Sequence, residues 1–165
     1  MNIDTFGPLI LLPIICIMIY YMLKKQNLLT KEKKLLLILF AVSFFITEVG
    51  RSIYRPEIYE HGIFDFYIAD TLGTSFGTLT AIFFVLLLQA KNKISDMFYI
   101  IGVTVLIMVI EVIRLPGNEV YDIHDMYAAL ICGLLAAVFY FIYFLWIPFK
   151  RSKSTPPDEK SIDTD

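Results

Sequence analysis

The sequence predicts an all-α, polytopic membrane helical bundle with about five transmembrane helices. Three observations lead there. Of 165 residues, 58% are hydrophobic and 15% aromatic, against ~45–50% apolar for an ordinary soluble domain. The mean hydropathy is +0.69. The apolar residues fall into five runs, each long enough to cross a hydrocarbon core about 30 Å thick at about 1.5 Å of rise per residue. One small core cannot hide this much apolar surface, so lipid is the expected solvent.

The spans run over about 6–23, 35–54, 66–90, 97–114 and 125–148. Span one follows MNIDTFGPLI, which carries Asp4 and no basic residue before its apolar run. A cleavable signal needs a positive n-region, so this segment is expected to stay in the mature chain. The connection to span two holds Lys24, Lys25, Lys31, Lys33 and Lys34. The short link from span three to span four holds Lys91 and Lys93. Span five is followed by Lys150, Arg151 and Lys153. Five spans put all of these on one side, which the positive-inside rule assigns to the cytoplasm. Losing a span would set Lys91 and Lys93 against Lys31, Lys33 and Lys34. The N-terminus and the loops 55–65 and 115–124 are then outside. Residues 1–149 read as one membrane domain in the cell membrane. The Ser-, Thr-, Pro- and Asp-bearing stretch 150–165 reads as a disordered cytoplasmic tail.

Ionisable residues mark the outer ends. FFITEVGRSIYR closes span two with Glu48, Arg51 and Arg55, and IMVIEVIR closes span four with Glu111 and Arg114. Asp65 and Asp70 open span three, and Asp122, His124 and Asp125 open span five. Lysines at helix tips snorkel, but Glu48 and Glu111 lie deeper than their arginines. A charge at that depth is costly unless it faces the bundle and finds a partner. Glu48 with Arg51, and Glu111 with Arg114, are i,i+3 neighbours on an α-helix. Glu48, Arg51, Arg55, Asp70, Glu111, Arg114, Asp122 and Asp125 therefore form the candidate ligand-binding or ion-pair layer.

Small residues indicate how the helices approach. Span three carries Ala69, Gly73, Gly77 and Ala81 at intervals of four. Span five carries Ala129, Gly133 and Ala137, flanked by Ala128, Cys132 and Ala136. Such faces let backbones come close in lipid, and they place spans three and five centrally. Cys16 and Cys132 lie in apolar runs and read as small core residues. Spans two–three and four–five share a helix ending in EV-x-R followed by an aspartate-opened helix with a glycine seven or eight residues on. That pattern reads as a parallel two-helix repeat with span one outside it; chance similarity is the rival explanation.

Residues 104–137, TVLIMVIEVIRLPGNEVYDIHDMYAALICGLLAA, resemble the C-terminal signature of VanZ-like bacterial membrane proteins. Glu111 matches the acid that ends an apolar helix. Tyr121, Asp122 and Asp125 match an aromatic-Asp-x-x-Asp stretch, and Gly133 stands near the expected glycine. Segment 65–85 looks like the family's earlier span. The chain has Arg114, Asn118 and Ala129 where the family often has Gln, Arg and Asn. The resemblance implies a bacterial envelope protein associated with teicoplanin resistance.

The expected function is a non-catalytic envelope protein with a charged, outward-facing pocket. It would bind a polar or anionic group: a lipid headgroup, a lipid-linked cell-wall precursor or a glycopeptide. Arg51, Arg55 and Arg114 offer fork geometry to phosphate or carboxylate. Three alternatives stay open. The charges can be ion pairs that fix helix register. The chain can be an intramembrane enzyme on lipid-linked substrates at the outer leaflet, with Glu111, Asp122, His124 and Asp125 as acid–base candidates. It can be a transporter using Asp70 and Glu111. His61 and His124 are expected in loops, and no H-x-x-x-H or H-E-x-x-H spacing marks a metal site. There is no P-loop or dinucleotide fingerprint, so no cofactor is expected. A net charge of −2 gives no reason to expect nucleic acid. Membrane lipids are expected partners, and a homo-oligomer is open.

Overall fold

The computed structural model describes residues 3–113 and 123–148. All regular structure among them is helical, and five helices are long and apolar enough to cross a membrane. Helix α1 covers Ile3–Lys25. Helix α2, Lys31–Val49, starts at Thr30, whose hydroxyl accepts the Lys33 amide at 3.3 Å. This is a standard N-cap, satisfying one of the helix's orphan donors.

Helix α2 does not stop where the sequence predicts. A π-helical turn over Gly50–Tyr54 carries it into α3, Arg55–His61, with right-handed helical angles at every junction. The result is one 31-residue helix, Lys31–His61. The expected loop 55–65 is thus helical through His61. Pro56 is the residue that would end a strict α-ladder, because its ring clashes with the carbonyl four residues back. The wider turn just before it carries the chain past that clash. Gly62, at φ +59°, then closes the helix with its amide on the Ile58 and Tyr59 carbonyls.

Helix α4, Ile68–Gln89, is entered through Phe66 and Tyr67, both at positive φ (56° and 64°). Asp65 Oδ2 accepts the Ala69 amide at 2.6 Å and fixes that entry. A short 3₁₀ turn, Ile94–Asp96, leads into α5, Met97–Ile113. Helix α6, Ile123–Tyr140, runs on through a second π-helical stretch, Phe141–Trp146. His61 and His124 are therefore helical, not in loops: one ends α3 and the other lies in the first turn of α6.

Helix α4 is the centre of the bundle. It packs on α2, α6 and α5, and also meets α3 and the π turn, while α1 leans on α2. The core includes Leu36, Phe40, Ile82, Leu86, Leu87 and Ile100, closed by Ala136, Tyr140 and Phe144. Ile10, Phe45, Phe98 and Leu134 stand exposed, and no more than 33% of any span window is buried. The bundle presents its apolar sides outward, as a lipid solvent requires.

The small-residue faces sit at the helix contacts. On α4, Ala69 is buried, Gly73 faces Arg51 and Gly77 faces Thr47. On α6 the buried line is Ala129, Gly133, Ala136 and Tyr140, which draws on both expected lines. Any Cβ at Gly133 would overlap the Thr104 side chain, so α5 and α6 touch there only because position 133 is glycine. Cys16 and Cys132 are free thiols, half-buried.

Basic residues separate by type. The described lysines, Lys24, Lys25, Lys31, Lys33, Lys34, Lys91 and Lys93, all lie at one end of the bundle. The described arginines, Arg51 and Arg55, lie at the other.

Candidate polar site at the arginine end

The centre of the arginine end is a three-residue cluster between α3 and α4. Arg55 Nη2 stands 3.3 Å from Asp70 Oδ1. The Tyr59 hydroxyl donates to the same Asp70 oxygen. Arg55 Nε and Nη2 each lie 3.4 Å from the Tyr59 hydroxyl, and the guanidinium carbon sits 5.4 Å from the Tyr59 ring centroid. One turn of α3 brings Arg55 and Tyr59 together. The short turn after Gly62 returns the chain so that Asp70, in the first turn of α4, meets both.

Asp125, half-buried at the start of α6, also acts electrostatically on Arg55. Its neighbour His124 stacks on Tyr67, with centroids 4.7 Å apart and planes inclined by 15°. That contact ties the start of α6 to the strained entry of α4. His61 pairs with Glu57 at 3.4 Å on the exposed flank of α3.

Arg51 has a different setting. It is exposed within the π turn, and its stem lies over Gly73, where a Cβ would sit 3.3 Å from Arg51 Cγ. The expected pairing of Glu48 with Arg51 is not formed: among the described residues the ion pairs are Arg55–Asp70 and His61–Glu57. The i,i+3 rule presumes 3.6 residues per turn, and the π turn begins between these two residues. Of the candidate layer, Arg55 and Asp70 are joined directly and Asp125 is coupled to Arg55 electrostatically. Arg51 and Glu48 lie close by on the same helix, and Glu111 is half-exposed near the end of α5. Arg114 and Asp122 lie outside the described residues, as do Tyr121 and Asn118.

Below this end, the contact between α2 and α4 is lined with hydroxyls. Ser43 donates to the Leu39 carbonyl, Thr47 to Ser43 at 2.8 Å and Thr78 to Thr74 at 2.7 Å. Each is bonded within its own helix, a common way to bury Ser and Thr in lipid.

A second polar cluster, at the lysine end, gives no signal in the spacing of the sequence. Asp96, 2% exposed, accepts the amides of Lys91 and Lys93 at 2.9 Å and the Tyr140 hydroxyl at 2.7 Å. Lys33 donates its ammonium to the Leu86 and Leu87 carbonyls at 3.1 and 2.6 Å. It thereby shares the Leu86 carbonyl with the Ala90 amide and satisfies the Leu87 carbonyl at the C-terminus of α4, where the helix dipole also favours a cation. Among the described residues, no group of three or more His, Cys, Asp or Glu is placed to hold a metal ion.

A scan against models of protein families, a search of curated proteins and a search of solved structures each found nothing that matches this chain.

Proposed function

We propose that this chain is a VanZ-like bacterial envelope protein. Its arginine end faces outward and binds a polar or anionic group at the outer leaflet: a lipid headgroup, a lipid-linked cell-wall precursor or a glycopeptide. One observation carries the reading. Arg51 is an exposed guanidinium seated on Gly73, on the same helix as an Arg55 whose charge is already matched by Asp70. A fork-shaped cation without an ion-pair partner among the described residues, held on a helix, suits phosphate or carboxylate. The separation of lysines from arginines supports the orientation, with the lysine end and the C-terminus in the cytoplasm.

Arg55 and Asp70 have another role in this reading. They fix α3 against α4 and hold the platform that presents Arg51. They belong to the alternative in which outer charges set helix register.

The experiment is teicoplanin susceptibility of a sensitive Gram-positive host expressing the chain. Wild type is compared with Arg51→Ala, Arg55→Ala and Glu111→Gln at matched membrane abundance. Raised tolerance in wild type that is lost in Arg51→Ala and Glu111→Gln supports an outer binding site. No change in tolerance with wild type removes the resistance reading, and lipids that co-purify then become the probe of the site. If the variants keep wild-type tolerance once abundance is matched, and differ only in how much protein accumulates before matching, the charges serve packing alone.

A further inference from the structure

We propose that the lysine end holds an anionic phospholipid, with one acyl chain in the groove between α5 and α6 and the phosphate on Lys91 and Lys93. The groove is distinct from the arginine end and does not depend on the function proposed above.

The groove has a volume of about 140 Å³, lined by Ile100, Thr104, Met108, Gly133, Leu134 and Ala137 among others. An apolar cavity of about 150 Å³ is dry and takes up a benzene-sized hydrocarbon. This groove therefore fits a section of one acyl chain. From Ile100 to Met108 it follows α5 for about 12 Å at ~1.5 Å per residue, which suits a linear chain. Its floor is set by sequence: Gly133 has no side chain, and Thr104 directs its hydroxyl to the Ile100 carbonyl at 2.8 Å.

Charge at one mouth selects the occupant. Ile100 is one turn past Asp96, and Ala137 is one turn before Tyr140. The Asp96–Tyr140 hydrogen bond thus lies one turn beyond the groove, at its lysine-end mouth. Asp96 also binds the amides of Lys91 and Lys93, so the two exposed lysines are anchored beside that mouth. Its own carboxylate is turned inward, only 2% exposed, and does not cover them. Hydrocarbon space with its mouth beside two exposed lysines, whose backbone Asp96 holds in place, matches an anionic phospholipid. A second copy of this chain would bring its own lysines to the same mouth.

The test uses the full-length chain in detergent. It is incubated with phosphatidylglycerol and phosphatidylcholine of identical acyl chains, and retained lipid is counted by native mass spectrometry. Wild type should retain one lipid, with phosphatidylglycerol favoured by roughly tenfold or more, as two lysines at a membrane surface provide. Lys91→Gln with Lys93→Gln should bring that ratio to about one while a lipid is still retained. Ala137→Phe, which fills the groove, should lose both lipids. Leu134→Trp, on the exposed rim, serves the same purpose if Ala137→Phe is not monodisperse. Equal retention by wild type, an unchanged ratio in the lysine variants, or full retention in the filled groove would each overturn the proposal. So would a cross-linked dimer formed in membranes by Leu134→Cys in a Cys16→Ser, Cys132→Ser background, because it would assign the groove to a second copy.

Discussion

Tyr140 donates its hydroxyl to Asp96 Oδ2 at 2.7 Å across 44 positions of sequence, and the two residues are 1% and 2% exposed. The same carboxylate oxygen holds the amides of Lys91 and Lys93. One side chain thus fastens the loop after α4, the start of α5 and the end of α6. Its removal and the removal of its tyrosine partner are not equivalent. Asp96→Ala leaves the buried Tyr140 hydroxyl and the part-buried Lys91 and Lys93 amides unmatched, at about 1–3 kcal/mol for the buried donor and less for each amide that water can reach, so a loss of roughly 2–3 kcal/mol is expected. Tyr140→Phe leaves Asp96 with two amide donors and should cost about 1 kcal/mol. Thermal unfolding in detergent checks the order, and equal shifts would contradict it.

Gly133→Ala forces a Cβ into Thr104. Overpacking of this kind costs about 1–3 kcal/mol. Thr104→Ala removes the obstructing atoms, so the double variant should recover most of the loss. A double-mutant cycle with a coupling of about 1 kcal/mol or more is the expected result. Additive effects would mean that the two helices do not meet at this point.

Lys33→Gln withdraws the ammonium from the Leu86 and Leu87 carbonyls. A charge-assisted bond to a part-buried acceptor is lost, so a destabilisation of about 1–2 kcal/mol is expected. Lys34→Gln, one residue along and exposed, should move stability by less than about 0.5 kcal/mol. The pair of melting curves separates the helix-capping role from a general effect of charge.

Asp70→Asn removes the acid from the Arg55 pair. Arg55 and Asp70 are 49% and 26% exposed, so solvent screens the interaction and its loss should cost under about 1 kcal/mol. Arg51→Ala should be close to neutral for stability, because that guanidinium has no ion-pair partner among the described residues. A strong loss of folded protein from Arg51→Ala in fluorescence-detected size exclusion would show that it serves packing and not binding.

Orientation is testable by single cysteines in a Cys16→Ser, Cys132→Ser background. Glu57→Cys, exposed on α3, should react with an impermeant maleimide on intact cells. Ser95→Cys, exposed at the lysine end, should react only after permeabilisation. The reverse pattern would invert the topology and set the arginine end in the cytoplasm.

The five spans could be read from the sequence because run length against membrane thickness is a local property. The separation of Lys91 and Lys93 from Arg51 and Arg55 could be read for the same reason, since charges near helix ends report on sides. Pairing was harder. Glu48 and Arg51 look like partners on a uniform helix, but the ladder widens at Gly50. Arg55 then meets Asp70, on another helix, through a turn whose course depends on two residues at positive φ. Asp96 belongs to no motif in the sequence. Its burial is set by Tyr140, far along the chain, and no spacing rule reports on such a contact. The Gly133 face was visible as a small-residue pattern, but the residue it admits, Thr104, was not.

The π turn at Gly50–Tyr54 bears on which lengths of this helix are permissible. An i→i+5 ladder spends one residue more per turn than an i→i+4 ladder. Losing one residue within 50–54 would let that turn close as ordinary α-helix, with Arg55 still opposite Asp70. Losing or gaining one anywhere else between Lys31 and Val49 would swing the helix by about 100°, and either the lysine anchor or the arginine cluster would miss its partner. The surplus residue is a built-in slack of one, and the second span can shorten there without changing which side chains it presents.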